Sequence, residues 1–173
     1  MAAVTAERVY GASASLPTLV IDLDVHQGNG TAAIFAGRPD VFTLSVQGAN
    51  NYPWKTREAS DLDLDVPDGT DDVAYLDVLS QHLPRVFEKV GPKLVIFQAG
   101  VDALAEDSFG RLSLTRGGLI RRNHMVYDAC IAHGCKLLIT MGGGYSRPVD
   151  ATVSAHADVF RSAALRFASP GGE

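Results

Sequence analysis

Two cysteines, a deficit of basic residues and the lack of any long apolar run each remove a class of function from this 173-residue chain. Cys130 and Cys135 are too few for a disulfide framework. They lie five apart in a helical pattern, where their side chains point in different directions, so the expectation is free buried thiols in a reducing, cytoplasmic setting. Fifteen Lys and Arg against twenty Asp and Glu give a net charge of −5. That balance supplies no basic footprint for phosphates, so direct nucleic-acid binding and docking on an anionic membrane are not expected. No apolar stretch nears the roughly 18–20 residues of a membrane-spanning helix. The start has no basic segment followed by an apolar block, so no signal peptide is expected. Hydrophobic residues still make up 46% of the chain, enough for one domain with a real core.

What is present is an alternation of buried-strand and helix patterns. Leu16–Ile21, Val41–Val46, Leu94–Gln98 and Leu137–Met141 are short runs rich in Val, Ile and Leu, as in strands covered on both faces. Asp61–Val66 alternates Asp with Leu or Val and predicts a further strand, at an edge. Its spaced aspartates mimic a calcium loop, but Val66 stands where such a loop needs glycine. Helical stripes are expected at Val73, Leu76, Leu79, Leu83, Val86 and Phe87, with a kink at Pro84. Others are expected at Leu119, Asn123, Val126 and Cys130, ending at Gly134, and at Val153, Ala157, Phe160, Ala164 and Phe167. A short helix over Thr31–Phe35 is closed by Gly37 and Pro39. Strands alternating with helices predict an α/β fold with a mostly parallel sheet and helices on both faces. The lead, residues 1–15, is expected to be loosely ordered, the domain to occupy 16–168, and 169–173 to be a tail.

Three motifs carry chemistry, each just past a buried strand, where open α/β sheets place their sites. In the first, Asp22, Asp24 and His26 recur at i, i+2 and i+4, which on a strand projects them to one side. Gly28 and Gly30 then let the chain turn into the Thr31 helix. Two carboxylates leaving a buried strand need a cation or donors, and an Asp24/His26 pair suits zinc or Fe(II). The alternative is simple capping of loop amides. In the second, Asp102 follows the Leu94–Gln98 strand and supplies a third ligand, leaving the fourth position open as in a catalytic site. In the third, Met141-Gly-Gly-Gly-Tyr145 lacks the Gly-Lys-Ser/Thr ending of a phosphate loop. Its glycines allow close backbone approach and present Tyr145, whose phenol can donate to a developing oxyanion. The alternative for Tyr145 is a surface aromatic after a flexible turn.

With Asp-Leu-Asp-Val-His-Gln-Gly-Asn-Gly, Ala-Gly-Val-Asp and Gly-Gly-Gly-Tyr in this order, the chain resembles the histone deacetylase superfamily, most of all its class IV branch and bacterial relatives. The likeness runs from about Leu16 to Phe167. It implies a three-layer arginase/deacetylase fold lacking its N-terminal strands, and a zinc-dependent hydrolase that removes acyl groups from lysine side chains of proteins or from small acylated amines. It implies Asp24, His26 and Asp102 as ligands of zinc, with Fe(II) the alternative, and Tyr145 as the carbonyl-polarising residue. It further implies a monovalent cation, potassium in many relatives, held by Asp22, the Asp24 and His26 carbonyls, and the Ser45 and Val46 region. Tyr52 and Trp54 fall where the family places an aromatic channel wall, with Gly100, Gly143 and Gly144 beside the same channel. An ordinary loop pair is the alternative for the two aromatics. The family's tandem histidine pair has no counterpart: His82, His124, His133 and His156 stand singly. The resemblance therefore also leaves open a non-catalytic, truncated metal-binding module that needs a second chain. The sheet edge at Leu137–Met141 is expected to promote self-association.

Overall fold

A computed structural model describes residues 16–168. The expected lead over 1–15 and tail over 169–173 lie outside the described residues. Five strands form one sheet: β1 (Thr18–Asp22), β2 (Val41–Gly48), β3 (Leu62–Val66), β4 (Leu94–Ala99) and β5 (Lys136–Met141). Their order is β3-β2-β1-β4-β5 and every pairing is parallel. All carboxyl ends therefore share one edge, with β1 at the centre. Asp22 is in register with Ser45 on one side and Gln98 on the other. The Asp61–Val66 alternation is indeed an edge strand.

Among the described residues four helices flank the sheet: α1 (Asn29–Phe35), α2 (Asp72–Val90), α3 (Arg116–Ala132) and α4 (Asp150–Phe167). Alternate residues of the central strands sort the two faces. Leu19, Ile21, Val95, Phe97 and Ala99 join the main core with residues of α2, α3 and α4, such as Leu79, Val126 and Val159. Val20, Leu94 and Ile96 point the other way, into a smaller cluster with Leu16 and Phe35 at the end of α1. The helix ends follow local chemistry. Asp71 caps α2 by accepting from the Ala74 amide, and Thr115 caps α3 by accepting from the Gly118 amide. Gly91 and Gly134 take the left-handed conformation just past α2 and α3.

Two of the three expected stripes need correction. On α2, Val73 is 77% exposed and Leu76 only half-buried, while Tyr75 is fully buried. The helix also runs through Pro84, which lies on the solvent side, as does Ser80, whose carbonyl loses its helical partner there. On α4 the buried residues are Thr152, Ala155, Val159 and Ala163, and Val153, Phe160 and Phe167 are exposed. Small side chains let α4 approach α3, where the Tyr127 hydroxyl donates to the Val159 carbonyl at 2.8 Å. Ranking positions by apolar size selected the wrong face. The α3 stripe of Leu119, Asn123, Val126 and Cys130 is buried as expected. Cys135 lies in the turn after α3 rather than in it, and both thiols are buried and free.

These assignments predict opposite responses to truncation. Leu79→Ala should destabilise the fold by about 2–5 kcal/mol, whereas Val153→Ser should stay within about 0.5 kcal/mol of the parent. Urea unfolding of both variants checks the pair.

Candidate active site at the carboxyl edge of the sheet

β1 stops at Asp22, so Asp24 and His26 do not continue a strand. Two successive side-chain turns bring them together instead. Asp22 Oδ1 accepts from the Asp24 amide at 3.0 Å, and Asp24 Oδ1 accepts from the His26 amide at 3.0 Å. From the end of β4, Asp102 Oδ1 accepts from the Val25 amide at 2.8 Å. From the end of β5, the Gly143 amide donates to Asp24 Oδ2 at 2.7 Å, and the Gly143 carbonyl accepts from the Val101 amide at 2.7 Å. The capping expected as an alternative is thus real, and it is what aims the acids.

Three donor groups meet at one point. His26 Nδ1 lies 2.9 Å from Asp24 Oδ1 and 3.1 Å from Asp102 Oδ2. One ligand atom from each residue lies within 4.8 Å of the others. Donors bound about 2.0–2.2 Å from one tetrahedral ion would stand about 3.3–3.6 Å apart. The observed separations are a few tenths shorter, as suits a proton shared among the three groups. The surroundings fit a cation as well. A β-carbon on residue 143 would overlap Asp102 Oδ2, and one on residue 100 would overlap Asp24 Oδ2. Glycine at both positions is what leaves the donors free to converge, and the set of two carboxylates and one imidazole suits a divalent metal.

The charges are mutually dependent. Burial, reinforced by the Asp24 charge, pushes Asp22 up to about 8. Burial likewise raises Asp102 to about 6, against the opposing hydrogen bond from His26. For Asp24 burial acts upward too, but hydrogen bonds to His26, Asp102 and the His26 and Gly143 amides outweigh it, so its carboxyl titrates below the usual range. Hydrogen bonds to Asp102 and Asp24 hold the His26 imidazolium to about pH 10. Asp24 and Asp102 share the His26 proton as their hydrogen-bonded counter-charge, and the buried Arg122 guanidinium acts on the acids from behind.

Asp22 is only 7% exposed and stands apart from this trio. A β-carbon at residue 28 would overlap Asp22 Oδ2, and the Gly28 amide donates to Ser45 Oγ at 3.1 Å. The carboxylate therefore sits beside the Ser45 region of β2, with Val46 buried next to it.

An open cleft of about 570 Å³ is lined by Asp22, Asp24, His26, Tyr52, Gly143 and Tyr145, among others. The Tyr145 ring meets the His26 ring edge-on, with centroids 6.4 Å apart. Tyr52 meets His26 from another side at 6.5 Å and Trp54 at 5.8 Å. A second hollow of about 350 Å³, also touching His26 and Tyr52, is bounded by Trp54 and Phe109. Two expected channel glycines face elsewhere. Gly144 packs toward Thr152, Val101 and His156, and Gly100 lies behind Asp24. Gly142 lines the cleft with Gly143. Sequence reading missed Asp107 and Phe109. Asp107 accepts from the Tyr145 amide at 2.6 Å and from the Phe109 and Gly110 amides at 2.9 and 2.8 Å. Phe109 packs edge-on against Tyr145 at 5.2 Å. The only cue was the turn-like Asp107-Ser-Phe-Gly110, in a stretch with no strand or helix period.

The raised groups fix a sign for pH dependence. Asp22 and Asp102 start from 3.8 and His26 from 6.5, so in the folded metal-free chain these three groups bind more protons than in the unfolded one between about pH 4 and 10. Their contribution is complete at low pH and is lost as pH rises through the folded values. In the presence of a chelator, the urea midpoint should therefore be lower at pH 9 than at pH 6. An equal or higher midpoint at pH 9 would contradict this charge arrangement.

Known proteins resemble this chain in both sequence and fold. Residues 1–160 match the histone deacetylase domain model. The chain is 43% identical over 145 residues to an uncharacterized protein of Picosynechococcus sp., covering 84% of this chain and 48% of that one. It is 32% identical over 139 residues to a histone deacetylase-like amidohydrolase of Pseudomonas aeruginosa, covering 73% of this chain and 36% of that one. The crystal structure of the HDA15 HD domain superposes with a TM-score of 0.77 at 27% identity, over 99% of this chain and 50% of that one. An acetylpolyamine aminohydrolase from Burkholderia pseudomallei shares the fold, with a TM-score of 0.76 at 23% identity, over 93% of this chain and 48% of that one. The chain thus spans about half the length, or less, of these relatives. It belongs to the histone deacetylase domain family and has that family's α/β fold.

Proposed function

We propose that residues 16–168 are the metal-bearing part of a deacetylase-type hydrolase that cleaves the amide of acyl-lysine or of a small acylated amine. The observation that carries this reading is the convergence of Asp24, His26 and Asp102 beside Tyr145 in one cleft. Family membership and the acetylpolyamine aminohydrolase fold support the substrate class. Asp24, His26 and Asp102 would hold zinc, or Fe(II), which when bound polarises an amide carbonyl and lowers the pKa of a bound water. Tyr145 donates its phenolic hydrogen to the carbonyl oxygen as negative charge builds there. Its own proton is held tightly, because burial and the Asp102 and Asp24 charges push the phenol upward. Tyr52, Trp54 and Phe109 flank the approach to His26 and would guide an aliphatic arm. Asp22, with carbonyls of Asp24, His26 and the Ser45–Val46 region, would hold potassium, which relieves the buried negative charge behind the site.

The proton acceptor is the open part of the reaction. No two histidines are adjacent in the sequence. Among the described residues His26 is the only imidazole lining the cleft, and both carboxylates engage it. This favours a second reading, in which the chain binds metal but needs another polypeptide segment to turn over. The edge strand β5, which pairs only with β4 among the described residues and exposes Leu138 and Met141, would join such a segment or a second copy. No helix among the described residues is long and apolar enough to cross a membrane.

Zinc titration and an acyl-lysine peptide assay on the same sample separate these readings. The 173-residue chain should take up one zinc ion and lose that capacity on Asp102→Ala, yet turn over far below the roughly 1–10³ per second of ordinary enzymes. No zinc uptake would remove the proposal. Turnover in the ordinary range would mean that a group within this chain acts as the base.

A further inference from the structure

Arg122 is a charged side chain with no solvent exposure at all, placed mid-helix on α3 against the underside of the site. Burying a guanidinium is unfavourable unless its donors are used, and here most of them are. Nη1 donates to the Leu23 carbonyl at 3.0 Å and to the Gly100 carbonyl at 2.9 Å. Nε and Nη2 both donate to Asn123 Oδ1, at 3.1 and 3.0 Å, which fixes the plane of the group. The cation also lies over the Phe97 ring, 5.9 Å from its centroid.

The two carbonyls are the informative part. β1 and β4 end their ladder at the Leu23 amide, which donates to the Gln98 carbonyl at 3.1 Å. Beyond that point the strands separate into the loops that carry Asp24 and Asp102. Leu23 immediately precedes Asp24, and Gly100 stands two residues before Asp102. The Arg122 fork thus ties the two loops together one step past the last ladder bond. Its charge is also felt by Asp22, and it in turn feels Asp102 and Asp24.

We infer that Arg122, oriented by Asn123, is a positioning residue for the metal centre: its guanidinium fixes the separation of the Asp24 and Asp102 loops, and with it the affinity and geometry of the bound ion. The inference rests on the metal reading proposed above and extends it to a residue about which neither motif spacing nor the cleft lining says anything. Lysine keeps the charge but lacks the planar fork, so it cannot hold both carbonyls and Asn123 in one plane.

The test uses the 173-residue chain with zinc and cobalt(II) as probes. Zinc affinity is measured by chelator competition, the cobalt absorption spectrum reports ligand geometry, and circular dichroism with thermal melting reports the fold. Arg122→Met should weaken zinc about 10–100-fold, the range seen when groups orienting metal ligands are removed. Arg122→Lys should lose less, Asn123→Ala least, and each should alter the cobalt spectrum. The two milder variants keep the test decisive if Arg122→Met fails to fold. Folded variants with lowered melting points but parental zinc affinity and cobalt spectrum would overturn the inference, reducing Arg122 to a structural role. A parent chain that binds no zinc would overturn the metal reading and this inference with it, so the two failures are told apart by the parent alone.

Discussion

The structure turns on one shared positive charge at the end of its central strand. Asp22, Asp24 and Asp102 gather within a few residues of the sheet's carboxyl edge, and Asp102 has no exposure to solvent. Carboxylates so placed cannot all ionise without a counter-charge. In the metal-free chain His26 supplies it by sharing its Nδ1 proton with Asp24 and Asp102. A divalent ion would replace that proton with twice the charge at the same focus. The glycines, the side-chain turns and the parallel topology together bring Asp24, Asp102 and His26 to one point, with Asp22 buried behind them.

The sheet makes this arrangement rigid. Loops after β1, β4 and β5 are cross-linked by Asp102 to the Val25 amide, by the Gly143 amide to Asp24, and by the Val101 amide to the Gly143 carbonyl. Asp24 and Asp102 therefore each answer to two strands. Tyr145 hangs from the same framework, because Asp107 accepts from its amide and Phe109 backs its ring. Asp107 and Phe109 belong to one short turn, so the orientation of the phenol and the wall of the second hollow are set by a single local structure.

Much of this was legible in the sequence because the carriers of information were local. Buried strands announced themselves as short runs of Val, Ile and Leu, and the acids and histidine were grouped by their position after such runs. Other features depended on relations that pattern alone does not carry. The α4 stripe was misplaced by one residue because Ala155 and Ala163 bury a face through close packing, which a search for large apolar side chains overlooks. Strand spacing was the reason to expect Asp24 and His26 on one side, yet the chain leaves the sheet at Asp22 and side-chain turns do the aiming. Asp107, Phe109 and Arg122 act on groups far away in the chain; no period marks the first two, and Arg122 is a polar neighbour of the α3 stripe that a search for apolar positions passes over. Gly144 was grouped with its neighbours by adjacency, although it faces α4.

The central claim is that Asp24, His26 and Asp102 form one metal site in which the ion displaces the His26 proton. Diffraction from crystals of the chain grown with zinc, recorded on both sides of the zinc absorption edge, addresses it directly. The account predicts one strong anomalous peak about 2.0–2.2 Å from His26 Nδ1 and from one oxygen each of Asp24 and Asp102. A well-ordered zinc peak elsewhere, with His26 Nδ1 still hydrogen-bonded to both carboxylates, would contradict it.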